Sequence, residues 1–482
     1  MFGTLSLLAC LIVPAAVADE RGRDYGLQRL PGNDHTASAL PPELAAKARL
    51  LKERLLDSLV QQQVPGAPVA CFAPGTDPDY IAEVAARTAE ITQRLSVQMR
   101  DDAPAGRFQL SNRWTTTATD GFGLSQGDPT TMTWSYIPDG TNISGFIGEP
   151  PGPSDLQAWL TGIYGNFNTW HQIFVEVFDR WAELTGNTYV YEPNDDGAAF
   201  VNSSGQLGVR GDLRIGAHRI DGPFNVLGYN FFPNTGDMVL DSDDTLFNNT
   251  SNDSLNLRNT LSHEHGHGLG FNHVCPRNTS KLMEPQLTTA FDGPQEDDIL
   301  AGQRFYGDPN EPNDTAATAT PVLAAGEMLT RGASVSLASI DDNLDADVYS
   351  FMAVAGTVDV TLTPTGSSYL NGPQLSNGAC SAGTTFNALT VSNLALEVLD
   401  TDGTTVLDSI DANGAGDGEM LTGVVLPSAG TYFVRVTGSA DNVQRYDLVL
   451  NASNICSHLS GDLFNDCFES ADTSVWSATQ NQ

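Results

Sequence analysis

Lysine is nearly missing from this chain. Three occur in 482 residues (Lys47, Lys52 and Lys281), and all basic side chains together number 23 against 59 carboxylates, a formal charge of −36. A phosphate backbone or an anionic lipid surface repels such a chain, so nucleic-acid binding is disfavoured. Long apolar runs are missing too: past the N-terminus none approaches the ~20 residues that span a bilayer, and no transmembrane segment is expected. Cysteine is sparse, with six in all. Cys10 lies in the short apolar stretch 5–17, which ends in Ala16-Val17-Ala18 and reads as a secretory signal cleaved near Ala18, although no Lys or Arg precedes it. Reading Leu8-Ala9-Cys10 as a lipoprotein site leaves almost no apolar core. The expected location is therefore extracellular, by bacterial export. Cys71, Cys275, Cys380, Cys456 and Cys467 remain. Export permits disulfides, Cys456 and Cys467 form the easiest local pair, and an odd number leaves at least one thiol unpaired in a monomer.

The chain is too long for one core, and 46 glycines with 26 prolines suit loop-rich globular domains. Residues 43–62 carry a leucine-rich helical period and 79–99 read as a second amphipathic helix, a pair that suits a propeptide or an N-terminal extension. From about Phe108 strand-like stretches follow at 113–118 and 131–137, then a helix over 153–184 with a break near Gly162–Gly165. Short strands are expected at 188–192, 213–218 and 238–241, and a helix over 255–269. Strands with helices laid against them give an α/β layered domain. Residues 308–314 read as a polar, proline-punctuated linker. Beyond it, alternating runs at 347–352, 358–363, 394–399, 432–436 and 446–450 between Gly/Asp/Asn turns indicate an all-β sandwich. The expected division is 1–18 signal, 19–107 helical propeptide or N-terminal extension, 108–308 catalytic domain, 309–325 linker and start of the C-terminal domain, 326–455 β-sandwich and 456–482 tail.

Four of the eight histidines fall in His263-Glu264-His265-Gly266-His267-Gly268-Leu269-Gly270-Phe271-Asn272-His273. His263 and His267 stand one helical turn apart, so both imidazoles project from one face and can hold one tetrahedral ion. Gly270 can take a left-handed conformation that ends the helix and lets His273 supply a third nitrogen. Three protein ligands leave a fourth position for water, which marks a catalytic zinc site. Glu264 sits beside the ion without binding it and can act as general base, then acid. His265 lies about 200° around the helix from His263 and reads as surface or packing.

These residues are the signature of the metzincins, and the surrounding sequence resembles one branch, the matrixins. Met283 in Lys281-Leu282-Met283-Glu284-Pro285 lies where that family places its Met-turn beneath the zinc. Asp297-Asp298-Ile299 through Phe305-Tyr306-Gly307 is similar to its closing helix, and Leu213-Arg214-Ile215-Gly216 to the strand before its S-loop. The resemblance covers about 108–308, more weakly before Thr185. It implies a structural calcium held by Asp221, Asp241 and Asp244 with carbonyls near Gly222, Phe224 and Val226. It also implies a second zinc, but two of that site's histidine positions hold Tyr229 and Val239. One zinc is therefore expected, with His218 as a hydrogen-bonding surface histidine.

Some matrixins are kept latent by a propeptide cysteine on the zinc. Cys71 is the candidate here, and a Cys71–Cys275 disulfide is the competing reading. Residues 311–450 resemble the bacterial pre-peptidase C-terminal domain through Glu311-Pro312-Asn313-Asp314, Asp347-Val348-Tyr349-Ser350-Phe351 and 429–436. Such domains are β-sandwiches appended to secreted peptidases, and some bind calcium, for which Asp341, Asp342, Asp345 and Asp347 are placed, though a solvated acidic loop fits them equally.

The fold class expected is an α/β (α+β) metzincin-type catalytic domain with a twisted, mostly parallel sheet and long helices, followed by an all-β sandwich. The function expected is a secreted, monomeric zinc endopeptidase acting on protein or peptide substrates, with residues 227–229 as the edge strand that aligns the substrate. Two alternatives stay open: a calcium-stabilised adhesin that has lost turnover, and a zinc hydrolase of some non-peptide bond.

Overall fold

The computed structural model describes residues 68–95, 108–201 and 203–454. The proposed signal, the helix expected at 43–62, the Cys456–Cys467 pair and the tail lie outside the described residues. Those described all fall within one unit, Glu53–Gln482, and none of their helices is long and apolar enough to cross a membrane.

The first region is mixed α/β. Its strands are β1 (Val69–Phe72), β2 (Thr130–Tyr136), β3 (Asn187–Tyr191), β4 (Leu213–His218), β5 (Val226–Asn230) and β6 (Met238–Asp241). They form one sheet in the order β1-β5-β6-β4-β2-β3. The pairings β6–β4, β4–β2 and β2–β3 are parallel, whereas β1–β5 and β5–β6 are antiparallel. A mostly parallel sheet is covered on both faces, which is why β4, β5 and β6 are buried at every position.

The N-terminal helix α1 runs Pro78–Leu95. The helix expected at 153–184 is two, α2 (Leu156–Tyr164) and α3 (Phe167–Leu184). Gly165 ends the first at φ 86, and Asn166 caps the second by accepting from the Thr169 N–H. The apolar face of α3 presents Trp170, Phe174, Phe178 and Trp181 to Trp134 of β2 and to Leu257 and Leu261 of α4 (Ser251–Gly268). Each such buried side chain contributes roughly 1.5–3 kcal/mol. Asn252, Asp253 and Ser254 at the start of α4 have φ of 51 to 57, so regular right-handed turns begin at Leu255. A closing helix, α5, runs Glu296–Tyr306.

The second region is largely β-sheet. β8 (Thr320–Pro321), β10 (Ala346–Ala353), β17 (Gly430–Gly438), β14 (Leu394–Leu399) and β15 (Val406–Ile410) form one sheet in that spatial order. β9 (Gly332–Ile340), β18 (Gln444–Asn454), β11 (Gly356–Thr365) and β16 (Glu419–Leu426) form another. Val358, Val360 and Leu448 of the second share a core with Tyr349, Leu396 and Val434 of the first. The hairpin β12 (Ser368–Pro373)–β13 (Thr384–Asn387) leaves both sheets and pairs with β7 (Val274–Cys275), just past the histidine helix.

Residues 308–314 are only partly solvated: Pro309, Pro312 and Asp314 are exposed, but the segment is anchored at two points. Asp308 and Asn313 are fully buried, Ser339 N donates to Asp308 at 2.6 Å, and Val348 N donates to Asn313 O at 2.9 Å. Arg304 of α5 reaches Asp341 O and Asp441, each at 2.6 Å. The two regions therefore meet along a hydrogen-bonded seam.

Candidate metal centre

Helix α4 carries His263 and His267 on one face. It ends at Gly268, and the chain turns at Gly270, whose φ is +103 and whose Cβ, were it present, would stand 1.9 Å from Asn112 O. That glycine turns the chain so that His273 faces back toward the helix. His273 Nε2 lies 3.2 Å from both His263 Nε2 and His267 Nε2. Nitrogens on a tetrahedral zinc at ~2.0–2.1 Å stand about 3.3 Å apart, so the spacing fits one ion.

Each Nδ1 is held from behind. His263 donates to Leu282 O at 2.7 Å, His267 to Phe271 O at 2.6 Å, and His273 bonds the side-chain carbonyl of Gln374 at 2.7 Å. Carbonyl oxygens only accept, so Nδ1 carries the proton and the Nε2 lone pairs point at a common centre. Burial, then neighbouring His273, pushes His263 down to about 3; burial, then His273 and His263, holds His267 well below the usual imidazole value, and burial takes His273 to about 4. All three imidazoles are neutral and ready to ligate.

Glu264 is fully buried, and neither carboxylate oxygen has a well-formed hydrogen bond. Burial raises it well above the carboxylate range, with the Cys71 backbone amide acting weakly in the other direction. Gly228 of β5 makes room beside it: a Cβ there would stand 3.3 Å from Glu264 Oε1.

Met283 is buried beneath the helix, where a Cβ on Gly266 would stand 2.3 Å from its sulfur. A side chain at 266 would collide with this methionine, which explains a poor helix former there. The turn is fixed by Asp298 of α5, which accepts from Leu282 N at 2.8 Å and Met283 N at 3.1 Å. Glu284 gathers the N–H groups of Asn278, Thr279 and Ser280 around its carboxylate.

Cys71 is free and fully buried, and its sulfur lies within metal-ligand reach of His263 and Glu264. Burial foremost, and the Glu264 charge, raise its thiol well above the usual value. Cys275 instead pairs with Cys380 at a Cα–Cα distance of 5.4 Å. The Cys71–Cys275 reading is therefore overturned: Cys275, in β7, bonds Cys380, while Cys71 lies beside His263 and Glu264. β1 lies against β5 with Cys71 opposite Gly228. Phe72 also bonds the other wall, donating to Pro285 O at 3.2 Å and accepting from Leu287 N at 2.9 Å.

Other expected residues land differently. His265 is buried and bonds Tyr189 Oη at 2.7 Å, so its role is packing. His218 is not a surface histidine: it is 3% exposed, with Nε2 3.5 Å from Glu149 Oε1. Glu149 also accepts from Tyr229 Oη at 2.7 Å and from the N–H groups of Phe146 and Ile147. Its carboxylate thus joins two of the three positions where the resemblance places a second zinc.

Asp221, which follows β4, and Asp241 and Asp244, at and after the end of β6, do not offer oxygens to one point. Asp241 accepts from Asp221 N and Gly222 N, Asp244 from Phe224 N and Leu246 N, and Asp221 from Tyr80 of α1. In the seam, Asp345 and Asp347 join Glu311 rather than Asp341 and Asp342, with carboxylate oxygens within 4.8 Å of one another. Sequence reading missed Gln374, Glu149 and Asp298 as supports of the site. Only Asp298 carried a local signal, in the Asp297-Asp298-Ile299 motif.

Residues 167–307, from α3 to the end of α5, match the family model described as Matrixin. No curated protein matches the chain. The α/β region thus carries a matrixin-like metzincin catalytic unit with a zinc-binding histidine triad.

Proposed function

We propose that this chain is an exported precursor of a zinc endopeptidase, with Glu264 as its general base and Cys71 as its latency thiol. Zinc-dependent endopeptidase activity follows from the family match together with the triad. The carrying observation is the convergence of three proton-free Nε2 atoms beside a buried glutamate lacking partners. A zinc ion held there supplies Lewis acidity toward the scissile carbonyl and lowers the pKa of water toward ~7. Glu264 takes the proton of the attacking water and returns it to the leaving amine. β5 aligns an extended substrate by backbone pairing.

Latency is supported by the placement of β1, which fills the groove between β5 and residues 285–287 and sets Cys71 within ligand reach of His263 and beside Glu264. Removal of about residues 19–107 would open that groove. The second region reads as a pre-peptidase-type β-sandwich within the proposed boundary 326–455, supported by its two sheets and shared core. Calcium is proposed at Glu311, Asp345 and Asp347, where Asp347 Oδ1 is buried without a partner. The Asp221, Asp241 and Asp244 group is a further calcium position that forms once Tyr80, which bonds Asp221, leaves with the N-terminal segment. The adhesin reading gains no support, since Glu264 and the triad are intact.

The test uses the exported protein on casein or gelatin. Glu264→Ala should lower kcat by roughly 10²–10⁴, and a chelated sample should be silent. Undiminished cleavage by Glu264→Ala would overturn the mechanism, and the mass of the secreted product reports removal of the N-terminal segment.

A further inference from the structure

Two of the triad's three supports are backbone carbonyls close in sequence, Leu282 O and Phe271 O. The third is a side chain 101 residues beyond its histidine. Gln374 belongs to the β-sheet region and follows β12, the strand that pairs with β7. Val274, the first residue of β7, comes directly after His273 and faces Pro373 across this pairing. The disulfide from Cys275 to Cys380 closes the other side of the loop. Within the loop, Leu375 N donates to Ala379 O and Gly378 N to Leu375 O, each at 2.8 Å. Asn371 fixes the base by bonding Asp297 of α5 and Gln109.

The amide of Gln374 has one orientation available. Its Nε2 donates to Gly378 O at 2.8 Å, and a carbonyl can only accept. Its Oε1 therefore faces His273, and His273 Nδ1 must carry the proton. That fixes the tautomer and leaves the Nε2 lone pair for the ion.

We propose that Gln374 is a positioning residue of the zinc centre, so that the β-sheet region completes the active site through the 366–387 hairpin. The proposal rests on the zinc reading above. The region is then part of the catalytic machinery, and the Cys275–Cys380 bridge is the clamp that keeps Gln374 on the third ligand.

The experiment measures zinc affinity of the full exported chain by chelator competition for wild type, Gln374→Leu and Gln374→Glu. Both variants lose the bond to Gly378 O, but only Glu keeps an acceptor for His273. Gln374→Leu should weaken zinc binding by about 10–100-fold, and Gln374→Glu should recover most of that loss. Nitrogen-15 histidine spectra of the metal-free wild type should report His273 with its proton on Nδ1, a readout that does not depend on either variant folding. Equal affinity in Gln374→Leu and wild type, a Glu variant no better than Leu, or a metal-free His273 protonated on Nε2 would each overturn the inference. A wild type that binds no zinc at all would sink the zinc reading as well, which separates the two failures.

Discussion

The triad and the acidic seam are both clusters of buried ionisable groups, and they solve burial in opposite ways. At the triad the groups are imidazoles that burial keeps neutral, and each is tied by a hydrogen bond that leaves one lone pair facing inward. Neutral groups pay little for desolvation, so the fold around them stands on its aromatic core with or without an ion. In the seam the groups are carboxylates packed against one another, with Arg304 the cation that lowers Asp341. Burial above all, and then neighbouring carboxylates, raises Glu311 and Asp341 to about 9, and burial raises Asp345 to about 7. One cluster holds function that depends on a metal; the other makes folding stability depend on pH.

The largest effect that distinguishes them is metal removal. Stripping zinc should lower turnover by ~10³-fold or more, because Lewis-acid stabilisation amounts to several kcal/mol. The melting temperature should fall far less than it does when the seam is titrated. A zinc-free protein that unfolds at the temperature where the seam fails would erase the contrast.

Next comes the pH dependence of the seam. In an unfolded chain the protons of Glu311, Asp341 and Asp345 leave near pH 4, whereas in the folded protein they leave near 7 to 9. The folded state binds more protons between those limits, so stability should fall as pH rises from about 4 to 9. The loss should be on the order of a few kcal/mol, read from melting or denaturant curves. Calcium should restore melting at pH 8–9 and change it little at pH 5, and Glu311→Gln should flatten the profile. A profile that rises over this window, or a calcium response independent of pH, would contradict the assignment of the acids.

The zinc site was legible in sequence because its information is local. His263 and His267 share a helical face through spacing alone, and Gly270 marks the turn that brings His273 into reach. Periodicity likewise located α3, β4, β6 and several of the later strands. The seam was legible only in part, for a physical reason: acidic, proline-punctuated residues at 308–314 suggest solvation, as at exposed Pro309, Pro312 and Asp314, and nothing in their order reports that Asp308 and Asn313 are buried. The 366–387 hairpin was invisible because β12, with its Asn, Gly and Pro, lacks an alternating apolar pattern and pairs outside its own sheets. Gln374, Glu149 and the Cys275–Cys380 bridge depend on contacts across long stretches of chain, which a linear pattern does not carry.

The smallest expected effect probes how firmly the metal centre's neutral design is held. Gly266→Ala should gain about 1 kcal/mol from helix propensity. It should lose roughly 1–3 kcal/mol because the new Cβ would stand 2.3 Å from the sulfur of buried Met283. The two terms nearly cancel, so melting should shift by only a few degrees. Zinc affinity should respond more clearly, because Met283 follows Leu282, whose carbonyl anchors His263. Displacing the methionine moves that carbonyl and loosens the first ligand, whereas the seam and its pH profile stay as they were. Chelator competition reads the difference, and an alanine variant with wild-type zinc affinity would show that the turn yields without moving the anchor.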